Sequence, residues 1–289
     1  MHLRPETRCR LFVLLARQAP MALIFRRGPS TWTELSVWNT RTDIVERGQW
    51  FRGRVYERRC DLSPSGQKLI YFAAKHHLRN VDPAYSSTWT AISKTPYFTA
   101  LVLWPNAGTT YHGGGLFDAE DAVCVNSVYH RGTNPERDLP APVHPSHKPP
   151  KTLRVFPMSF ASGDRIMARR LVRDGWSLAT DEGVEAGHLD FKGKLVREVK
   201  DRRLTLDLGY QTMRYALFER ASGTWQPRPF ENVAWADFDQ RGRLVFARAG
   251  RLFAVSTPQR HEASEEELLA DLTEGKPRSI VAPRSAHTW

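Results

Sequence analysis

The feature that most constrains the fold is a short strand–turn–strand unit that recurs along the chain. In residues 61–72, DLSPSGQKLIYF, a strand ends at Leu62, and the Ser-Pro-Ser-Gly sequence at 63–66 supplies a tight turn before a second apolar strand. Proline presets φ in such a turn, and glycine accepts a positive φ. Degenerate copies occur at residues 235–246, 156–167 and, more weakly, 116–125. These internal repeats predict a fold built by stacking one small unit.

A second half-unit, consisting of a strand, a polar turn and a strand, occupies residues 33–45, and its opening strand returns at 250–255. Elsewhere, short apolar runs alternate with clusters of Gly, Pro, Asn, Asp and Ser, which is typical of all-β folds. A single hairpin cannot bury both of its faces, so consecutive hairpins must pack against one another. A four-stranded propeller blade satisfies this requirement.

Residues 61–72 resemble the blade motif of the TolB-type and WD-repeat-like β-propellers, whose consensus reads Ser-Pro-Asp-Gly-x-x-Ile-x-Phe. Ser65 stands where that consensus has Asp. The stretch 269–283 resembles the final strand of such a blade. The resemblance implies an all-β, propeller-like fold of four-stranded antiparallel blades. The uneven spacing of the repeats is compatible with either five or six blades. A pair of β-sandwiches is the alternative.

The 289 residues are predicted to form a single β-propeller-like domain, 1–289, with a proline-rich loop at 133–151. Because proline lacks the amide donor of a strand, this segment is interpreted as an excursion between strands, with an inter-domain linker as the alternative. One short C-terminal helix is predicted at residues 263–272. Ser264 can cap its first turn, and Glu267 takes the capping-box position.

The charge balance is basic, since 42 Lys and Arg against 31 Asp and Glu give a net charge of +11. Positive charge attracts nucleic acid, but the arginines are dispersed along the chain. Three cysteines without metal-ligand spacing favour neither a disulfide framework nor a zinc finger. The apolar run at 11–16 is shorter than a signal-peptide core, and no run approaches the ~18 residues of a membrane helix. We therefore expect a cytoplasmic protein without a membrane span.

No residues have the pattern of a catalytic, cofactor-binding or metal site. Catalytic zinc needs ligands on rigid elements, so the loop histidines are interpreted as solvated side chains: His76, His77, His112, His144 and His147. The glycine run at 113–115 follows a histidine, as in a lipase oxyanion motif, and glycine-rich loops also bind phosphate where a helix follows. Neither a Gly-x-Ser-x-Gly elbow nor a following helix accompanies it, so we interpret it as a turn before a strand.

Acidic pairs that could serve a hydrolase are Glu120 and Asp121, Asp181 and Glu182, and Asp237 and Asp239. Turn aspartates also have a structural explanation, because their side chains accept hydrogen bonds from the local backbone. The nine tryptophans are expected to pack between blades rather than to stack on bases.

These observations predict a non-enzymatic binding or scaffold protein that presents a propeller face to a macromolecular partner, with another protein favoured and no cofactor required. A basic nucleic-acid-associated protein is the first alternative. A small propeller hydrolase with carboxylates at the central channel is the second. The sequence does not indicate the oligomeric state.

Overall fold

The computed structural model describes residues 9–28, 31–76, 86–126, 142–144, 149–158, 163–179, 193–209, 212–255 and 265–289. Within these ranges the chain forms five β-sheets that follow one another along the sequence, together with one α-helix. Each sheet is built from one continuous stretch of chain, as expected for a fold of stacked repeats.

Strands β1 to β9 form the first two sheets. The first is antiparallel and contains β1 (Arg10–Leu15), β2 (Met21–Arg27), β3 (Trp32–Asn39) and β4 (Val45–Arg52). The second contains β5 (Arg54–Val55), β6 (Asp61–Leu62), β7 (Lys68–Ala74), β8 (Thr88–Lys94) and β9 (Ala100–Pro105). Since β5 and β6 both pair with β7, this sheet has four strand positions.

The remaining strands form three further sheets. The third contains β10 (Gly115–Ala119), β11 (Ala122–Asn126) and β12 (Arg154–Met158), and helix α1 (Gly163–Arg173) follows it. The fourth contains β13 (Ser177–Ala179), β14 (Gly193–Val199), β15 (Arg202–Gly209), β16 (Thr212–Ala221) and β17 (Thr224–Arg228). The fifth contains β18 (Val233–Phe238), β19 (Leu244–Arg248), β20 (Arg251–Val255) and β21 (Glu266–Asp271). Short 3₁₀ turns occur at Glu57–Arg59 and Arg284–His287.

The sheets are arranged as the blades of a five-bladed β-propeller. Strand β1 contacts β6 of the second blade and β18 of the fifth, β6 contacts β10 of the third, and β16 of the fourth contacts β18. The strands β1, β6, β10 and β18 therefore lie around a common axis. The predicted propeller is confirmed with five blades, whereas the described residues do not form the alternative pair of sandwiches. Two blades depart from the expected four antiparallel strands. The third has three strands, with β12 parallel to β11, and the fourth has five.

Three of the four predicted copies of the repeat form hairpins. In residues 61–72, the Ser63 amide donates to the Lys68 carbonyl at 2.8 Å, and Gly66 adopts a φ of 78°. Residues 116–125 form the β10–β11 hairpin, and residues 235–246 form the β18–β19 hairpin. The turn chemistry of these segments is therefore sufficient to specify their local structure.

The predicted C-terminal helix is wrong. Residues 266–271 form β21, whose register with β20 places Leu268 opposite Phe253. Pairing along the open edge of β20 outweighs the helix-forming tendency of this acidic segment. The expected final strand at 269–283 is also only partly formed, because β21 ends at Asp271.

The helix occurs instead at Gly163–Arg173 and begins inside the remaining predicted repeat copy, 156–167. Its buried side chains recur at a helical period: Ile166 packs with the third blade, while Met167 and Leu171 join the main core. Helix α1 thus links the third blade to the rest of the core. Within the described ranges, no helix has the length and apolar character needed to cross a bilayer.

No described sheet combines strands from the two ends of the chain, so side chains connect the first blade to the fifth. Arg243 donates to both carboxylate oxygens of Asp43, at 2.9 and 2.8 Å. Gln240 donates to the Ala16 carbonyl at 2.7 Å and accepts from the Thr40 hydroxyl at 2.8 Å. These bonds join the turn before β19 to the first blade.

The C-terminal tail, residues 272–289, also contacts the first blade and continues to the second. Arg26 of β2 donates to the carbonyls of Leu272 and Thr273, at 2.7 and 2.9 Å. Farther along the tail, three contacts hold it: Arg47 to the Glu274 carbonyl, Gln49 to the Ile280 carbonyl and Lys94 to the Ser285 carbonyl. The C-terminal Trp289 packs against a buried cluster formed by the second and third blades. The tail therefore ties the fifth blade to the first three.

Much of the proline-rich segment 133–151 lies outside the described residues. Val143, which is described, forms a bridge with Leu103 of β9. The strands on either side of the segment, β11 and β12, pair with each other. This pairing agrees with an excursion between strands, which stays a prediction for the segment itself.

Candidate functional site

A cavity of about 660 Å³ lies at the propeller axis. Its wall is formed by the end of β1, by Asp61 of β6, by the C-terminal end of α1, by Arg197 of β14 and, around the end of β18, by residues 235, 237–240 and 242. Two residues of the wall, Gly175 and Gln240, are exposed to solvent. The cavity therefore opens to the surface beside them.

The sequence of the strands that surround the axis explains the mixed character of this wall. Strand β1 reads RLFVLL and is followed by Arg17, while β18 reads VAWADF and is followed by Asp239 and Gln240. The apolar parts of both strands are buried in the main core. Their polar ends consequently reach the cavity.

The best-defined ion pair of the wall joins Asp61 to Arg173 of α1. Arg173 donates to both carboxylate oxygens of Asp61, at 2.6 and 3.0 Å, and its Nε donates to Asp174 at 2.8 Å. Burial opposes the charge of Arg173, but the two neighbouring carboxylates outweigh burial and raise its pKa. Asp61 also accepts from the amide of Phe117 at 2.7 Å. This pair fixes α1 against the second and third blades.

Asp237 of β18 is the second carboxylate held within the wall. It accepts from Arg197 Nη1 at 2.5 Å, from Trp176 Nε1 at 3.3 Å and from the Phe238 amide at 2.8 Å. Burial raises the pKa of Asp237, against the opposing effect of the Arg197 charge. Its oxygens are thus occupied by protein donors.

Two arginines of the wall have no carboxylate within 4 Å in the described residues. Arg17 donates from Nη2 to the carbonyls of Phe117 and Asp118, at 2.8 and 3.1 Å, and its buried Nε has no partner. Arg170 donates to the Cys60 carbonyl at 2.5 Å. Burial lowers the pKa of both guanidinium groups. Backbone carbonyls orient these two cations without neutralising them.

The acidic pairs considered for a hydrolase are not assembled into a free pair anywhere in the described ranges. Glu120 and Asp121 lie in the β10–β11 turn, outside the cavity wall, and each forms an ion pair with a neighbouring cation. Asp181 and Glu182 lie outside the described residues. Without two unpaired carboxylates, the described wall lacks the arrangement used in glycoside hydrolysis.

Asp239 has the structural role expected of a turn aspartate. Its Oδ1 accepts from the amides of Arg241 and Arg243, both at 2.9 Å, and its Oδ2 accepts from Arg243 Nε at 2.8 Å. Asp239 therefore closes the β18–β19 turn and orients Arg243 toward the first blade.

The histidines and glycines considered as site residues do not form a site in the described part of the chain. No group of three potential metal ligands occurs there, and His77 and His147 lie outside it. Of the histidines considered, His76 is exposed, whereas His112 and His144 are half-buried and so only partly solvated.

The glycine run at 113–115 forms a close-packed turn before β10. Its Gly113 and Gly114 amides donate to the Asn126 carbonyl and the Thr90 hydroxyl. A Cβ atom at Gly113 would lie 2.2 Å from the Phe72 ring. These amides are engaged within the protein, which supports the interpretation as a turn rather than a phosphate loop.

All nine tryptophans are buried or half-buried, and packing between blades stays a prediction for the half-buried ones. Trp38, Trp104, Trp176 and Trp235 are buried in or beside the blades. The ring of half-buried Trp225 is covered by the guanidinium of Arg203, at 4.3 Å from the ring centroid. Several arginines are buried as well: Arg26, Arg170, Arg202 and Arg243. Part of the positive charge is therefore internal.

Sequence reasoning did not identify the cavity arginines. Arg170 is one of two adjacent arginines among many that are dispersed along the chain. Its helix, α1, begins in a segment that resembles a blade repeat, so the sequence does not predict that Arg170 lies on a helix. The available signal was an arginine placed directly after an apolar strand, as at Arg17. That signal becomes informative only when the strand is known to line the propeller axis.

No protein-family model and no curated protein matches the chain. The chain is similar to the β-propeller domain of the Trilobed protease from Pyrococcus furiosus, which has an open velcro topology, with 10% identity and a TM-score of 0.40 over 92% of this chain and 99% of that one. It is also similar to the Pyrococcus horikoshii acylaminoacyl peptidase, with 11% identity and a TM-score of 0.37 over 92% of this chain. A prolyl endopeptidase shows 10% identity and a TM-score of 0.30 over 85% of this chain. The chain covers 45% and 33% of the length of these last two proteins.

Proposed function

We propose that this protein is a non-enzymatic binding protein whose partner-recognition surface is the propeller face that carries the axial cavity. The observation that supports this proposal is the composition of the described wall. Every carboxylate in it is engaged by protein donors, whereas two guanidinium groups are oriented by neutral carbonyls. Such a wall is suited to recognition, because it offers unneutralised donors but no assembled acid–base pair.

The proposed partner is another protein. The described tryptophans are not available as an exposed base-stacking platform, and this weakens the nucleic-acid alternative. A single domain over residues 1–289, a cytoplasmic location and membership of the TolB-type propellers stay predictions. The near-consensus turn at 63–66 supports the last of these.

The test uses the burial of the natural thiols. Because all three cysteines are free and buried, a cysteine introduced at a surface position can be modified selectively. Gly175→Cys places a thiol at the cavity opening. Gly223→Cys is the matched control in the β16–β17 turn, because both glycines have positive φ and no atom within 4 Å of a built Cβ. Each variant is coupled to polyethylene glycol maleimide and used to capture proteins from cell lysate.

We expect the unmodified protein and the Gly223→Cys conjugate to capture the same partner, and the Gly175→Cys conjugate to lose it. Equal capture by both conjugates would place recognition on another surface and contradict the proposal. Failure of the unmodified protein to capture any partner would also contradict it. Circular dichroism of both conjugates checks that the fold is retained.

A further inference from the structure

We propose that the axial cavity binds one carboxylate carried on an apolar group. This inference rests on the proposed function and names the chemistry recognised at the same site. Its central residue is Arg17, the half-buried cation of the wall that has no carboxylate within 4 Å among the described residues. Its Nη2 is held by two carbonyls and its Nε is shielded from solvent, so Nη1 is the nitrogen left to donate a charge-assisted hydrogen bond to a ligand carboxylate.

The charge balance of the wall corresponds to one negative charge on the ligand. Four guanidinium groups and four carboxylates line the cavity: Arg17, Arg170, Arg173 and Arg197, with Asp61, Asp174, Asp237 and Asp239. Asp239 is balanced by neighbours that are not part of the wall, because Arg241 and Arg243 together pair with Asp43 and Asp239. Four cations then face three anions, so the wall carries one excess positive charge. A monoanion would neutralise it.

The same balance disfavours a more highly charged ligand. Asp61 and Asp174 share the single guanidinium of Arg173, and their charges act on Arg17, where they oppose only in part the lowering of its pKa by burial and by the Arg173 charge. A phosphate dianion at Arg17 would therefore bring a second negative charge toward these two carboxylates. Like charges in a partly desolvated site repel strongly. A carboxylate avoids this cost.

The apolar part of the wall selects what carries the carboxylate. Val13 and Leu15 from β1, Leu171 from α1, and Trp235 and Phe238 from β18 line the same cavity. Its volume of about 660 Å³ has room for a side chain and the adjoining peptide. The carboxylate can come from a chain terminus next to an apolar residue or from an acidic side chain beside one.

Three peptides separate these sources. Ac-Ala-Gln-Leu-OH carries a terminal carboxylate, Ac-Ala-Glu-Leu-NH₂ carries a side-chain carboxylate, and Ac-Ala-Gln-Leu-NH₂ is the neutral control. Each is titrated into the full-length protein, and inorganic phosphate is titrated as the dianion. The readout is the Nε–H resonance of Arg17 in a ¹H–¹⁵N spectrum. Its Nε is shielded from solvent and has no hydrogen-bond partner, so a change of partner at the guanidinium will shift its signal.

We expect at least one charged peptide to shift this resonance in a saturable manner, with the neutral peptide and phosphate at least about tenfold weaker. Arg17→Gln should weaken binding of that peptide by about tenfold or more. Arg52→Gln should leave it unchanged, because it removes the same charge from the exposed end of β4. Peptide binding to Arg17→Gln is followed through backbone amides of the wall. The charged peptide that binds more tightly identifies the source of the carboxylate.

Equal affinity for the charged and neutral peptides, tighter binding of phosphate, or the absence of any shift would overturn the inference. The lysate experiment separates this failure from failure of the proposed function. If Arg17→Gln captures the partner as well as the unmodified protein does, while the Gly175→Cys conjugate does not, the cavity face is the recognition surface but the carboxylate inference is wrong. If modification at Gly175 has no effect, the proposed function itself is wrong.

Discussion

Replacing Arg243 by alanine tests whether side chains close the propeller ring. Arg243 is 7% exposed and donates to both oxygens of Asp43 in the first blade, to Asp239 in its own blade and to the Thr40 carbonyl. Its loss leaves two carboxylates without their main cation. Removing one partner of a buried ion pair costs 3–5 kcal/mol, and Asp239 keeps two amide donors, so we expect a loss of about 3 kcal/mol.

This free energy corresponds to a shift that thermal denaturation can resolve. With an unfolding entropy near 2.1 cal/mol/K per residue, a chain of this length loses about 5 °C in Tm for a loss of about 3 kcal/mol. Arg154→Ala is the matched control, because it breaks a 3.2 Å pair whose side chains are 59% and 51% exposed. Such a surface pair contributes at most about 1 kcal/mol. The loss in Tm for Arg243→Lys should lie between those of Arg243→Ala and Arg154→Ala, because lysine keeps the charge but not the forked arrangement of donors.

The pH dependence identifies the source of the loss. Burial by itself would raise the pKa of Asp43, but hydrogen bonds from Arg243 and its charge outweigh burial and hold the pKa below 3.8. A carboxylate whose pKa is lower in the folded state contributes stability above its unfolded pKa and loses that contribution as the pH falls through the folded value. The difference in Tm between wild type and Arg243→Ala should therefore narrow below about pH 4. An unchanged Tm at neutral pH, or an equal difference at pH 3 and pH 7, would refute the reasoning.

Three further outcomes follow from the packing. Gly113→Ala should lower the free energy of unfolding in urea by about 3 kcal/mol or more, because its Cβ would meet the Phe72 ring. Gly223→Ala should lower it by only about 1 kcal/mol, for its positive φ, and equal losses would contradict the close-packed turn. Deleting residues 279–289 should lower the Tm by several degrees, because it removes the tail contacts with the first three blades, and an unchanged Tm would show that the tail is dispensable. Fluorescein maleimide should label Cys9, Cys60 and Cys124 only after the protein is unfolded, because burial raises the pKa of each thiol and excludes the reagent. Rapid labelling of the native protein would contradict this.

The parts of this fold that could be predicted are those specified by local chemistry. The turn at 63–66 fixes its hairpin with proline, glycine and serine within a few residues, so the second blade was predictable from sequence. Residues 263–272 also carry strong local signals, but the edge of β20 captures 266–271 as a strand. The cavity could not be predicted, because Arg17, Arg170 and Asp237 are far apart in sequence and meet only through the stacking of blades.

Many of the arginines that give the chain its net positive charge have a structural role between the blades. Strand pairing runs within blades. Some other backbone bonds cross a junction, among them the Gln18 amide to the Pro64 carbonyl at 2.9 Å and the Gln49 amide to the Pro96 carbonyl at 3.0 Å, and side chains supply further links. Arginines carry out this task repeatedly by donating across the junctions: Arg17 to Phe117, Arg26 to Leu272, Arg59 to His112, Arg202 to Val255 and Arg243 to Thr40.

Each of these donors reaches a carbonyl of another blade or of the C-terminal tail. Arginine suits this position better than lysine, because one guanidinium offers five donors in a fixed fork and can satisfy several acceptors at once. Because none of the described sheets combines strands from the two ends of the chain, the ring has a particular need for such donors. The arginine content is therefore explained in part by the blade junctions, and it is not by itself an argument for a nucleic-acid surface.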